Sequence, residues 1–148
     1  MPPLRDTEVR ALHEAVDDES RAWATYNRVI ADFGEARSFI KIREAETRHI
    51  ESLRGVFSRY GLAVPENRWP GRVTRSPNLQ EACEAGAVAV IENDALYERL
   101  LASTQRPDIL AVFRNLQEAS RERHLPAFQR CAGRGGGARR RRDRRNCP

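Results

Sequence analysis

The sequence predicts an all-α fold, a bundle of four helices. Three observations predict it. Four long segments carry apolar residues at alternating spacings of three and four, the repeat of one helix face. Glycine, proline and short polar residues sit where those segments start and stop. β-branched residues are scattered, and no alternating run is long enough for a strand.

The first segment runs from about Thr7 to Phe33, with Asp6 or Thr7 as its cap and Gly34 as its stop. The second runs from about Ser38 to Tyr60 and ends at Gly61. Ser76 followed by Pro77 predicts the start of the third, which extends to about Ala102. The fourth runs from near Pro107 to near Cys131, before Gly133. Pro126 lies inside it, lacks an amide hydrogen and crowds the preceding turn, so a kink is expected there.

The connections predict topology. Short turns around Gly34 and Ser103–Arg106 make two antiparallel hairpins. Between the hairpins lies Leu62–Arg75, rich in Pro, Gly and Arg. Its fourteen residues can reach roughly 46 Å, and a helix of about 24 residues is roughly 36 Å long. This link can therefore cross the whole bundle and leave the second and third helices parallel.

The chain has 148 residues, enough for one domain at residues 1–133 with a continuous core. Its formal charge of +5 is uneven. Residues 134–148 hold seven arginines and one acid, a net of +6, which leaves −1 for the other 133 residues. Glycine entropy and arginine repulsion predict a disordered tail over 134–148. Lys41 is the one lysine, so the arginine bias is treated as compositional rather than functional.

Several classes are excluded. No run of about 18 apolar residues exists to span a membrane. The charged N-terminus does not resemble a secretory signal, and a cytoplasmic location is expected. Cys83, Cys131 and Cys147 lack CxxC spacing, which argues against a zinc knuckle or thioredoxin motif. Arg134 and the glycines after it form no phosphate loop, and no Gly-x-Ser-x-Gly motif is present. Cys83 and Cys131 fall at neighbouring helix ends, where a disulfide or a close thiol pair fits the predicted hairpin.

The chemistry lies on the seams. The first helix reads Leu12, Val16, Glu19, Trp23, Tyr26, Ile30, Phe33, with one acid among apolar residues. The second reads Phe39, Ile42, Glu46, His49, Leu53, Val56, Tyr60. Glu46 and His49, three apart, share a face. The third is read as Ala85, Ala89, Glu92, Leu96, Leu100, and the fourth as Phe113, Leu116, Ser120, His124, Phe128. A carboxylate in an apolar interior is strongly disfavoured unless it is paired or bound to metal. Oxygen and imidazole nitrogen are usual ligands of transition metals.

Dinuclear metal bundles use one Glu from each of two helices and Glu-x-x-His from each of the other two. Glu19 and Glu92 would fill the single-Glu roles, and Glu46-Thr47-Arg48-His49 is a full motif. In Arg121-Glu122-Arg123-His124 the histidine is present, but arginine replaces the first glutamate. If Arg121 faces the site with His124, it removes a ligand and repels a second dication, so about one tightly held ion per chain is expected. The bland readings are a metal-free hydrogen-bonded network for the acids and histidines, and simple packing for Tyr26 and Tyr97.

On these residues the chain resembles the ferritin-like family catalogued as domain of unknown function 2202. The resembling stretches are ALHEAVDDESRAWATYNRVIADFG, FIKIREAETRHIESLRGVFSRYGLAVPENRW, LQEACEAGAVAVIENDALYERLL and VFRNLQEASRERHLPAFQRC. The resemblance implies a ferritin-like fold and a metal site at Glu19, Glu46, His49, Glu92 and His124. It implies no particular reaction.

The expected function is metal binding, with iron or manganese as cofactor and redox chemistry of the ferroxidase or oxygen- and peroxide-activating kind. The alternative is a metal-free, non-catalytic bundle that acts as a binding or structural module. Expected partners are metal ions, a second copy of the chain, and weakly held nucleic acid on the basic tail.

Overall fold

The computed structural model describes residues 2–34 and 36–133, and all its regular elements are helical. The expected tail at 134–148, with Cys147, lies outside the described residues. Helix α1 is Asp6–Phe33, α2 is Arg37–Arg59, α3 is Leu79–Leu101 and α4 begins as Pro107–Ala119. A π turn, Ser120–His124, follows α4, and helix resumes over 125–133. None of the described helices is long and apolar enough to cross a membrane.

The helix ends show local causes. Glu8 folds its carboxylate back to accept from the Arg5 amide at 3.0 Å, which starts α1 one residue earlier than expected. Helix α3 starts later than Ser76-Pro77 suggests. Asn78 is its cap, and its Oδ1 accepts from the Glu81 amide at 2.9 Å. Gly34 and Gly61 take positive φ of 80° and 66° and turn the chain out of α1 and α2.

Contacts along the helices fix the topology. Glu8 meets Thr104, Glu14 meets Arg99, and Glu19 meets Tyr97, so α1 and α3 are antiparallel neighbours. Tyr60 meets Asp108 and Phe39 packs on Phe128, so α2 and α4 are antiparallel too. Helices α2 and α3 are therefore parallel. The link between them crosses along α1, tied down by Arg68 and Trp69 to Asp17 and by Arg75 to Asp32. This is a four-helix bundle of two antiparallel hairpins joined by a long crossover.

The core forms two apolar layers. One gathers Leu12, Leu53, Phe57, Tyr97, Leu100 and Phe113. The other gathers Tyr26, Val29, Phe39, Ile42, Val90 and Phe128. Along every helix the residues between those layers are polar and buried: Glu19, Glu46, Asn93, Ser120 and His124. Cys83 and Cys131 are joined at the far end of the second layer, with Cα atoms 5.7 Å apart. Gly86 is pressed against the ring of Phe128, where an added Cβ would meet ring carbons at 2.8 to 2.9 Å.

The π turn sits directly ahead of Pro126. The Leu125 amide reaches back five residues to the Ser120 carbonyl. Pro126 has no amide hydrogen for the Glu122 carbonyl and its ring crowds that oxygen. Widening the preceding turn relieves the crowding, so the sequence signal for a kink corresponds to a π turn.

Candidate metal centre

Three of the sequence-predicted site residues converge at the waist between the two apolar layers. One ligand atom each from Glu19, Glu46 and His49 lie within 4.8 Å of one another. Glu19 and Glu46 are 1% and 3% exposed. His49 lies at the edge, its side chain 12% exposed.

Glu46 is the hub. Its Oε2 faces His49 Nδ1 at 3.3 Å and its Oε1 faces His124 Nδ1 at 3.4 Å. The two imidazole rings lie 5.5 Å apart and are tilted by 27°. His124 is itself 3% exposed. Glu19 presents Oε2 to His49 at 3.7 Å, while its Oε1 accepts from the Tyr97 hydroxyl at 2.6 Å. Tyr97 holds one oxygen of Glu19 and leaves the other turned toward the cluster.

Burial disfavours charge on both acids, but their surroundings push them apart. Burial raises Glu46 well above the usual carboxylate range, and the adjacent Glu19 carboxylate raises it further. For Glu19 the burial effect is outweighed by hydrogen bonds from Glu46, His49 and Tyr97, which hold it low. The two acids are thus pushed in opposite directions, Glu46 toward its neutral form and Glu19 toward its charged form. Burial, reinforced by the facing His49, lowers His124 to about 4, so its ring is neutral at neutral pH and has a lone pair to offer.

Glu92 is a correction. It is exposed, and α3 turns Asn93 inward in its place. The inward face of α3 follows Cys83, Gly86, Val90, Asn93, Tyr97 and Leu100, one residue on from the predicted stripe until the two meet at Leu100. Helix α3 is apolar on nearly every side, with Val88 and Ile91 each 56% exposed, so its spacing did not define one face. Burial of the large Tyr97 ring against Phe113 at 5.7 Å places Asn93 one turn below it.

Arg121 is the second correction. It faces outward, pairs with Asp94, and reaches Glu98 at 2.8 Å. In the widened turn Ser120 takes the inward position, 4% exposed and donating to Asn93 Oδ1 at 2.7 Å. The Asn93 amide in turn donates to Asp18 Oδ2 at 2.6 Å, and Arg21 grips Asp18 Oδ1 at 2.6 Å. Asn93 and Asp18 escaped the sequence reading, and no spacing signal marked them. Ser120 lay on the predicted stripe but offered no metal-ligand chemistry to single it out. Tyr26 and Tyr97 are both buried, and both phenols are held protonated by burial and the nearby carboxylates.

No family model matches this chain, and neither does any curated protein. Among solved structures it is similar to the crystal structure of a hypothetical protein from Methanococcus jannaschii DSM 2661. That likeness has a TM-score of 0.81 at 22% identity and covers 92% of this chain and 85% of the other. At that identity it speaks for the shared helical fold.

Proposed function

We propose that this bundle is a ferritin-like metal protein, holding iron or manganese at Glu19, Glu46 and His49 with His124 as a further ligand. The observation that carries the reading is the convergence of Glu19, Glu46 and His49 donor atoms within 4.8 Å in a buried waist. The donor set fits: two carboxylates and two imidazoles, without thiolate, suit iron and manganese. Bound there, such an ion would supply redox chemistry of the ferroxidase or oxygen- and peroxide-activating class.

The chain's own residues have distinct tasks. Glu46 faces both imidazoles and would offer an ion one oxygen beside each. Glu19 offers its free Oε2, and Tyr97 fixes its carboxylate plane through Oε1. His124 is held inward by the π turn and neutral by its burial and the facing His49. The apolar layers on either side exclude water and strengthen every charge interaction within.

The competing reading, a metal-free structural network, draws on one feature. The cluster already has partners of its own: Glu46 faces both imidazoles and Tyr97 donates to Glu19. Anaerobic titration of purified protein with ferrous iron and with manganese separates the two. Wild type should take up metal and unfold at higher temperature, by about 2.7 kcal/mol of added stability at a hundredfold excess over Kd. Glu46→Ala and His49→Ala should lose that gain. No uptake, together with a more stable Glu46→Ala, would establish the metal-free network instead.

A further inference from the structure

We infer that the space enclosed by α1, α3 and the crossover is the substrate pocket of the proposed metal centre, shaped for a small neutral molecule with an apolar body and one hydrogen-bonding end. Its role as a substrate site rests on the metal reading. Its capacity to bind does not.

The cavity measures about 290 Å³, at the small end for a ligand pocket. Its lining reaches from exposed Arg72 and Thr74 on the crossover to buried Glu46 and His124. The same carboxyl and imidazole that would hold metal thus form its inner end. Ala22 on α1 and Ala82, Ala85 and Ala89 on α3 line the middle. Protein interiors are normally filled to crystal-like density, and voids of this size are destabilising. Here four alanines keep open a space that larger apolar side chains would close.

The roof is fixed in place. Trp69 donates to Asp17 at 3.0 Å, and the Arg68 and Arg21 guanidinium groups lie 4.7 and 5.8 Å from its ring. Asn93 and Ser120 line the inner end beside His124 and supply the polar groups there.

Charge selects the ligand class. The inner end carries Asp18 and Glu46, and Arg21 is committed to Asp18. With Glu19 and Glu46 balancing a bound divalent ion, the inner end would carry no net charge to hold an organic anion or cation. Arg72 and Glu92, both exposed, add one charge of each sign to the lining. A neutral ligand needs no partner charge.

The test uses metal-free and manganese-loaded protein with benzyl alcohol, and benzoate and benzylamine as charged probes of similar size. Calorimetry, and Trp69 fluorescence in a Trp23→Phe background, would read binding. Benzyl alcohol should saturate the protein with a Kd of about 1 mM or tighter. Benzoate should bind at least about tenfold more weakly to the metal-free protein, and benzylamine at least about tenfold more weakly to the manganese-loaded protein. Ala89→Phe fills the space from α3 and Ala22→Leu from α1. Each should weaken benzyl alcohol by about tenfold or more while circular dichroism stays helical, and either variant suffices if the other misfolds. The inference is overturned if wild type does not saturate, if both folded variants bind equally well, or if either charged probe binds its stated form as tightly. Binding of benzyl alcohol by a chain that takes up no metal would leave the pocket standing and remove the metal centre. Metal uptake without benzyl alcohol binding would do the reverse.

Discussion

His124 shares its inward face with Ser120 and not with Arg121. In a regular helix residues three and four apart both lie near one face. The π turn Ser120–His124 spaces its hydrogen bonds by five, which carries Arg121 out to Asp94 and Glu98. A cation that the linear motif placed at the metal site becomes a surface ion pair.

Arg121→Glu should therefore leave metal stoichiometry and affinity unchanged. The Arg121 side chain is 51% exposed, so stability should fall by about 1 kcal/mol or less, as acids gather around Asp94 and Glu98. Titration with ferrous iron beside urea unfolding checks both. A second ion bound by the variant would mean that residue 121 does reach the site.

Tyr97→Phe removes the donor to Glu19 Oε1 and leaves a buried carboxylate short of one partner. The metal-free protein should lose about 1.5–3 kcal/mol. With saturating manganese the loss should shrink, because the ion supplies the missing positive charge. Equal losses with and without metal would show that the hydroxyl serves packing and not the metal centre.

Glu8 predicts the acid limb of stability. Burial raises its pKa, but bonds from the Thr104 hydroxyl, the Arg5 amide and Arg106 outweigh that and lower it from 4.5 to about 2. Its folded pKa lies below its unfolded value, so its stabilisation is complete above about pH 4.5 and is lost as pH falls toward 2. The contribution at neutral pH is about 3 kcal/mol at most. Glu8→Gln should be less stable at pH 7 and flatter between those values, measured by urea unfolding across pH. A parallel, undiminished acid limb in the variant would assign it to other groups.

Gly86→Ala tests the packing that carries the far end of the bundle. Alanine gains about 1 kcal/mol of helix propensity. Its methyl would meet Phe128 ring carbons at 2.8 to 2.9 Å, and such overpacking costs about 1–3 kcal/mol. A net loss of up to about 2 kcal/mol is expected by chemical denaturation. A stabilised variant would mean that Phe128 can move aside freely.

Helix number, the two hairpins and the crossover were legible in the linear chain. Three-four apolar spacing, glycine stops and link length are local properties with direct geometric meaning. The inward placement of Glu19, Glu46 and His49 was legible for the same reason: α1 and α2 each carry one clear apolar seam, and a polar residue on such a seam has to be buried. Helix α3 carries no single seam, so spacing alone could not separate Glu92 from Asn93. Packing of Tyr97 on Phe113 decided it. The choice between Arg121 and Ser120 required the π turn. Regular spacing puts both Ser120 and Arg121 near the face of His124, and only the widened turn carries Arg121 away from it. The cavity beside the cluster belongs to no one segment. It exists because α1, α3 and the crossover meet around small side chains, and only their assembly in three dimensions brings that space to Glu46 and His124.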